Sequence, residues 1–191
     1  MGQRQTTIPP ESTTLYSLFQ TPFGWWSIVG QDKLLKRLYC GYSTYGNLLE
    51  AIHLDFNEGV NSQTKRREQD WFPELRHKLE RYARGSREEF HEIRLDLPAL
   101  TPFQKKVLQV TRKIPIGRTL TYGELAERAG FPRAFRAVGS VMAANRFPIV
   151  IPCHRVTAAG GKIGGYTNPV GVTLKERLLL LEQEMVAEKK S

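Results

Sequence analysis

The sequence predicts a mixed α/β (α+β) protein, in which a small strand-containing N-terminal domain precedes a mainly helical C-terminal domain with a helix-turn-helix of the winged-helix kind. Three observations support this fold class. Short β-branched and aromatic runs alternate with turn residues near the start, apolar residues recur at helical spacing further on, and two helix-start signatures follow residue 100. We expect a disordered tail at residues 1–12, an N-terminal domain at 13–97 and a C-terminal domain at 98–191.

The N-terminal domain opens with three predicted strands. Residues 15–19, 25–29 and 34–39 are apolar or aromatic runs separated by short turns that contain Gly, Pro or Asp, which is typical of a small antiparallel sheet. Apolar residues spaced three and four apart then predict a helix at 71–82, and the alternation at 90–97 indicates a further strand or an extended connection. For this domain we expect a role in packing support.

The C-terminal domain begins with helix-start signals. Thr101-Pro102 combines an N-cap residue with proline at the first helical position, and Thr121 with Glu124 forms a capping box for the next helix. After a break at Gly130-Phe131-Pro132, residues 133–144 predict a helix rich in small side chains. Two short helices about such a turn indicate either a DNA-binding helix-turn-helix or a plain helical hairpin.

The net charge of the chain is +9, and its distribution is uneven. Residues 98–191 hold 15 Lys and Arg against 6 Asp and Glu, whereas residues 1–97 hold 13 of each. A one-sided basic surface suits a polyanion such as nucleic acid, although basic proteins without that function are common. No run is apolar enough to span a membrane or serve as a secretory signal, so we expect a cytoplasmic protein. No Cys/His cluster has zinc-ligand spacing, and we predict no metal.

A thiol, an imidazole and a guanidinium follow one another at Cys153-His154-Arg155. The apolar residues 149–152 before them predict a buried strand that ends at Pro152, which cannot donate a ladder hydrogen bond. A neighbouring base or cation lowers the pKa of a thiol, so this segment predicts a reactive thiolate. In an extended chain His154 would need a backbone turn or a bridging water to reach the sulfur. A buried, inert cysteine is the alternative.

Three motifs in order resemble the O6-alkylguanine-DNA alkyltransferases. They are Arg136-Ala137-Val138-Gly139, Pro152-Cys153-His154-Arg155-Val156 and Gly164-Gly165-Tyr166, and the similarity covers residues 101–182. Members of that family repair a damaged guanine in double-stranded DNA by moving its alkyl group irreversibly onto a cysteine. The resemblance implies that this chain is a single-turnover methyltransferase without a cofactor, a monomer that associates with nucleoid DNA.

The resemblance also implies roles for individual residues. Cys153 accepts the alkyl group, His154 acts as a base through a water, and Glu182, in a final helix predicted at 173–182, orients the imidazole. Arg136 is the finger that fills the gap left by the extruded nucleotide. Tyr122 rotates the target phosphate and donates a hydrogen bond to the base.

Asn145 resembles the hinge between the recognition helix and the thiol segment. The remaining DNA contacts implied by the resemblance come from Thr121, Phe135, Ala137 and Gly139. The implied base pocket consists of Met142, Pro148, Val156, Tyr166 and Thr167. Thr167 stands where serine is common in the family, and the zinc ligands of some relatives have no convincing counterpart here.

Two further classes of function stay open. A non-catalytic DNA-binding protein, either a regulator or an alkylation-lesion sensor, would share the helix-turn-helix, although the family's sensors replace the acceptor cysteine. A papain-like cysteine hydrolase would also use Cys and His, but it has no need of Arg136 or of a basic half. The alkyl range accepted, and activity toward alkylated thymine, do not follow from the sequence.

Overall fold

The protein is represented by a computed structural model, which describes residues 13–57, 66–97, 99–161 and 171–187. The tail predicted at residues 1–12 therefore lies outside the described residues. The elements of the N-terminal half are, in chain order, β1 (Thr14–Thr21), β2 (Gly24–Gln31), β3 (Leu34–Tyr42), α1 (Tyr45–Asn57), β4 (Arg66–Glu68), α2 (Pro73–Ala83) and β5 (Arg94–Leu95). The α+β class and the three predicted strands are confirmed.

One five-stranded sheet forms the centre of this half, with the order β4-β1-β2-β3-β5. Strands β1, β2 and β3 are antiparallel, whereas the short outer strands β4 and β5 run parallel to their neighbours. Asp32 and Lys33 both have positive φ, which is the two-residue turn that matches strand twist. At Gly24 the φ is +99° and a Cβ would lie 2.4 Å from the Tyr42 carbonyl oxygen, so only glycine fits.

Each face of the sheet is covered by a helix. On one face Val29 and Tyr39 pack against Leu48 and Ile52 of α1, a helix that the sequence analysis does not predict. The adjacent strand residues point to the other face, because side chains alternate along a strand. There the core includes Trp26, Ile28 and Leu38 of the sheet together with Leu75 and Leu79 of α2, and Leu35 joins it because the register of β2 and β3 shifts between Val29 and Gly30.

The C-terminal half contains α3 (Pro102–Arg112), β6 (Leu120–Thr121), α4 (Tyr122–Arg128), α5 (Phe135–Ala143), β7 (Val156–Thr157) and α6 (Gly171–Ala187), with 3₁₀ turns at Cys153–Arg155 and Ala159–Gly161. The N-caps predicted at Thr101 and Thr121 are confirmed. The Thr121 hydroxyl accepts from Glu124 N–H at 3.1 Å, and the Glu124 carboxylate accepts from Thr121 N–H at 2.6 Å. These bonds satisfy two amide groups that a helix start leaves unpaired.

Helices α4 and α5 form the predicted helix-turn-helix. Gly130 and Arg133 have φ of +85° and +73°, so the chain reverses between the helices and α5 begins at Phe135 rather than at Arg133. Leu125 of α4 and Val138 of α5 belong to one core cluster. The parallel pair β6–β7 joins Leu120 to Val156 and so ties the start of α4 to the thiol segment.

The strand predicted at residues 149–152 is wrong. These residues are buried but form tight turns, in which Val150 N–H donates to the Pro148 carbonyl at 2.8 Å and Ile151 N–H to the Phe147 carbonyl at 2.7 Å. Ile149 has a φ of +71°, which is outside the strand region and rare for a β-branched residue. An apolar run indicates burial, but burial alone does not identify the backbone conformation.

The largest core cluster contains residues from both sides of position 97. Leu79 and Tyr82 of α2 share it with Ile149, Ile151 and Leu178, among others. The two-domain division at residue 97 stays a prediction. Among the described residues, no helix has the length and apolar character needed to cross a bilayer.

Candidate active site

Cys153 is the first residue of the 3₁₀ turn Cys153–Arg155, and 7% of it is exposed. Its N–H donates to the Ile151 carbonyl at 2.8 Å, and Arg155 N–H donates to the Pro152 carbonyl at 2.9 Å. A 3₁₀ turn separates successive side chains by about 120° rather than by the half-turn of a strand. The thiol and the His154 imidazole are therefore not forced to opposite faces.

His154 is fully buried, and its Nε2 lies 2.9 Å from Glu182 Oε1. Burial lowers the pKa of His154 below 6.5, although the Glu182 charge acts in the opposite direction. The neutral ring then carries its proton on Nε2, where the carboxylate accepts it, and leaves Nδ1 as a proton acceptor. Nδ1 has no hydrogen-bond partner among the described residues, so it is available as a base.

Glu182 comes from α6, and Arg155 pairs with it. Arg155 Nε lies 2.9 Å from Oε2 and Nη2 lies 2.7 Å from Oε1, while Nη1 donates to the Ile114 carbonyl at 2.5 Å. Gly117 N–H also donates to Oε2, at 3.2 Å. Burial would raise the pKa of Glu182, but His154 and Arg155 together lower it far below its usual range. The carboxylate is therefore charged at neutral pH.

Tyr82 adds a contact from the N-terminal half. Its hydroxyl donates to Glu182 Oε1 at 2.6 Å and lies 3.4 Å from His154 Nε2. The side chain is fully buried, and burial together with the Glu182 charge raises its pKa well above 10, so it stays protonated. From the sequence, Tyr82 is predicted only as an apolar position of a helix.

Lys175 and Tyr122 form the electrostatic surroundings of the thiol. Lys175 is 1% exposed, donates to the Val156 carbonyl at 2.5 Å and lies 6.0 Å from the centre of the Tyr122 ring. Burial lowers the pKa of Lys175, and attraction to Cys153 opposes this shift. Burial and then the Cys153 charge raise the pKa of Tyr122. A thiolate at Cys153 therefore raises the pKa of both Lys175 and Tyr122.

Asn145 holds the segment between α5 and the thiol. Its amide Nδ2 donates to the Ile151 carbonyl at 2.8 Å, and its Oδ1 accepts from Phe147 N–H at 3.0 Å. These two bonds close the loop that contains Ile149 in its left-handed conformation. The position between the recognition helix and Cys153 fits the hinge role that the sequence resemblance implies.

The predicted DNA contacts lie in the first turns of the two helices of the helix-turn-helix. Phe135, Arg136 and Ala137 are exposed at the start of α5, Gly139 is half-buried one turn later, and Thr121 and Tyr122 are half-buried at the start of α4. The Arg136 guanidinium lies 5.7 Å from the centre of the Phe135 ring. A Cβ built at Gly139 meets no heavy atom of the described residues within 4 Å, apart from the backbone of its own helix.

The predicted base pocket is described only in part. Met142 and Val156 are buried and belong to the same core cluster as Cys153. Pro148 is also buried. Tyr166 and Thr167 lie outside the described residues. Within the described ranges, no group of three or more His, Cys, Asp and Glu side chains could hold a metal ion.

The residues that bind the Glu182 carboxylate were not identified from the sequence. Arg155 is predicted to support the thiol, but its guanidinium is bound to Glu182, and Tyr82 and Lys175 are not singled out. Lys175 could have been noticed from the sequence, because a lysine between buried residues of a leucine-rich helix needs a hydrogen-bond partner.

The arrangement as a whole is a buried thiol beside a neutral, oriented imidazole, which is the arrangement that nucleophilic substitution by sulfur requires.

Comparison with known proteins identifies similar chains. A family model described as 6-O-methylguanine DNA methyltransferase, DNA binding domain, matches residues 102–184. A methylated-DNA–protein-cysteine methyltransferase of Methanosarcina acetivorans is 35% identical over 167 residues, covering 87% of this chain and 97% of the relative.

Two solved structures resemble this protein over about nine tenths of its chain. The O6-methylguanine methyltransferase of Mycobacterium tuberculosis matches with a TM-score of 0.72 and 32% identity, covering 91% of this chain and 94% of that one. The OGT of the same species in complex with DNA matches with a TM-score of 0.72 and 31% identity, covering 90% and 94%. The similarity therefore includes both halves of the fold.

Proposed function

The chain belongs to the family of methylated-DNA–protein-cysteine methyltransferases, and we propose that it repairs double-stranded DNA by moving the alkyl group of O6-alkylguanine onto Cys153. The observation that carries this proposal is the buried thiol of Cys153 next to His154, whose Nε2 lies 2.9 Å from Glu182. The helix-turn-helix joined to this segment by β6–β7 and the basic excess of residues 98–191 support DNA as the partner.

The transfer balances without a cofactor. His154 Nδ1 takes the Cys153 proton through a water, and the imidazolium is stabilised by Glu182. The sulfur then attacks the alkyl carbon, so that a C–S bond forms while the bond from that carbon to O6 breaks. The electron pair passes to guanine, to which Tyr122 donates a hydrogen bond, and the proton held on His154 returns to the guanine anion through water, so that Tyr122 keeps its own proton. The raised pKa of Tyr122 keeps this donor protonated at neutral pH.

The alkylated base must leave the duplex to reach Cys153. A reactive atom inside stacked DNA is inaccessible, and extrusion costs a few kcal/mol that protein contacts must offset. Arg136 is exposed near the start of α5 and in contact range of the Phe135 ring, so it can enter the stack as a planar cation supported by an aromatic side chain. Met142, Pro148 and Val156 then form part of the wall of the base pocket.

Each molecule acts once. A thioether offers water no good leaving group, so alkylated Cys153 is not regenerated by hydrolysis. The expected kinetics are one alkyl group transferred per protein, followed by inactivity. We expect a monomer that works on DNA in the cytoplasm, because one chain contributes both the helix-turn-helix and the thiol.

Mass spectrometry of the protein after incubation with a duplex that contains O6-methylguanine tests the proposal. We expect a gain of one methyl group, located on Cys153, in proportion to the lesion supplied. Cys153→Ser should show no gain, while Cys40→Ser, which changes the other buried cysteine, should react like the natural protein. Tight binding of the lesion without a mass gain would indicate a lesion sensor instead, and would overturn the proposal.

A further inference from the structure

Tyr82 connects the N-terminal half to the Glu182–His154 pair. Its hydroxyl donates to Glu182 Oε1 at 2.6 Å, and the same oxygen lies 2.9 Å from His154 Nε2 and 2.7 Å from Arg155 Nη2. A hydrogen bond from Tyr82 of α2 to Glu182 of α6, 100 positions later, therefore reaches the oxygen that accepts the hydrogen bond of the imidazole. Its hydroxyl also lies 3.4 Å from the imidazole nitrogen itself.

We propose that Tyr82 is a positioning residue for alkyl transfer: its hydroxyl fixes Glu182 Oε1 toward His154 and shares the negative charge of that oxygen, so that the carboxylate orients the imidazole without holding it in the protonated form. This proposal rests on the proposed function. It assigns the N-terminal half a part in the chemistry in addition to packing.

The charge balance explains why such a donor is useful. A bare buried carboxylate beside His154 would favour the imidazolium, and an imidazolium cannot accept the Cys153 proton. The donors from Tyr82, Arg155 and the Gly117 N–H spread the Glu182 charge. The other ionisable group acting on His154 is Lys175, which disfavours its protonation.

A packing role alone does not account for the geometry. The Tyr82 ring makes an edge contact with Phe90 at a centroid distance of 5.9 Å, and phenylalanine would keep this contact. What tyrosine adds is one hydroxyl, and that hydroxyl points to the carboxylate rather than to solvent, because the side chain has no exposed area. Tyr82→Phe therefore separates the two roles.

The test is the pH dependence of alkyl transfer in Tyr82→Phe, measured with the free base O6-benzylguanine so that DNA binding and base extrusion do not contribute. Loss of the donor leaves more charge on Glu182 and stabilises the His154 imidazolium. We expect the rising limb of the rate profile to move to higher pH by about 0.5–1 unit, which lowers the rate by about 3- to 10-fold at pH values well below the midpoint of the natural protein. At high pH the rates should converge.

Tyr39→Phe is the matched control. Tyr39 is also a buried tyrosine of the N-terminal half, and its hydroxyl donates to a carboxylate, Asp55, at 2.5 Å. It should lose similar stability and keep the natural pH profile. An unchanged profile in Tyr82→Phe, a shift to lower pH, or an equal shift in Tyr39→Phe would each overturn the proposal.

A second measurement does not depend on turnover. The titration of the His154 ring nitrogens, followed by ¹⁵N NMR in the intact protein, should move upward in Tyr82→Phe and stay unchanged in Tyr39→Phe. If the natural protein transfers no alkyl group, the proposed function fails, while this titration still decides whether Tyr82 acts on the imidazole.

Discussion

Burial of His154 makes folding depend on pH. Its pKa is lowered by burial, so the unfolded chain binds this proton more readily than the folded one, and the free energy of unfolding should fall as the pH drops below about 6.5. Protonation of Glu182 lowers the free energy of unfolding further only below about pH 4.5, the pKa of a glutamate in the unfolded chain, because its pKa in the folded protein is lower still. Urea unfolding between pH 5 and 8 measures the effect. His154→Gln should flatten the curve between pH 5 and 7, and a flat curve in the natural protein would contradict the assignment.

The fork of Arg155 binds both oxygens of Glu182, which a lysine at that position cannot do. Arg155→Lys leaves a buried carboxylate with incomplete pairing, and we expect a loss of about 2–4 kcal/mol in the free energy of unfolding and slower alkyl transfer. Arg76→Lys is the control, since Arg76 makes the same forked contact with Asp70 at the partly exposed surface. That change should cost under about 1 kcal/mol. Equal losses in the two variants would refute the special role of the buried pair.

The reactive residues differ in how far sequence could identify them. Cys153, His154 and Glu182 follow from the resemblance of short motifs, and the structure brings His154 and Glu182 together. Tyr82 and Arg155 could not be assigned to Glu182, because the partners are 100 and 27 positions apart and their contacts arise from the packing of α2 and of the thiol segment on α6. Short sequence patterns do not indicate contacts between residues so far apart in the chain.

Helix α5 illustrates a conflict between stability and DNA binding at Gly139. Because a Cβ there meets open space, Gly139→Ala should fit and stabilise the helix by about 0.5–1 kcal/mol through its higher helical propensity. Gly139 is also one of the predicted DNA contacts, so the added methyl group would crowd the duplex if that prediction holds. We therefore expect a higher melting temperature together with weaker binding to the duplex, measured by fluorescence anisotropy. Unchanged affinity would remove Gly139 from the interface.

Arg136 should matter only when the base has to leave a duplex. In Arg136→Ala we expect transfer from duplex O6-methylguanine to slow by at least about 10-fold, since the gap left by the extruded nucleotide is no longer filled. The reaction with the free base should be unchanged. Arg128→Ala, which removes an exposed positive charge from the neighbouring helix α4, is the control and should slow the duplex reaction much less. A parallel loss with the free base would show damage to the thiol site instead.

Elements with local signals were predicted well. The start of α4 follows from the capping box of Thr121 and Glu124, whose bonds lie within one turn of the chain. Residues 149–152 were predicted incorrectly, because tight turns bond the N–H groups of Val150 and Ile151, and the Asn145 amide donates to the Ile151 carbonyl that a strand would pair with a neighbour. Helix α1 was not predicted, although Leu48 and Ile52 have helical spacing and Thr44 is an N-cap residue whose hydroxyl accepts from Asn47 N–H at 3.1 Å.

At the scale of the whole molecule, the predicted charge asymmetry and the helix-turn-helix agree with a DNA-binding family, whereas the role of the N-terminal half stays a prediction. Composition indicates which half attracts a polyanion, because charge counts need no knowledge of packing. The position of α2 against α6 depends on the complete core, which is why the contact of Tyr82 with the site became visible only in the structure.

The core that Leu79 and Tyr82 share with Ile149, Ile151 and Leu178 limits how far this protein can be trimmed. In a fragment of residues 98–191 alone, the apolar side chains of Ile149, Ile151 and Leu178 would lose the cover of α2 and face water. Exposed apolar surfaces of this kind promote aggregation. We expect this fragment to accumulate in inclusion bodies and, after refolding, to melt without a cooperative transition, as followed by circular dichroism. A soluble, cooperatively melting fragment would contradict this. If the fragment aggregates as expected, a smaller version of this protein would require polar side chains in place of the apolar ones that the N-terminal half covers.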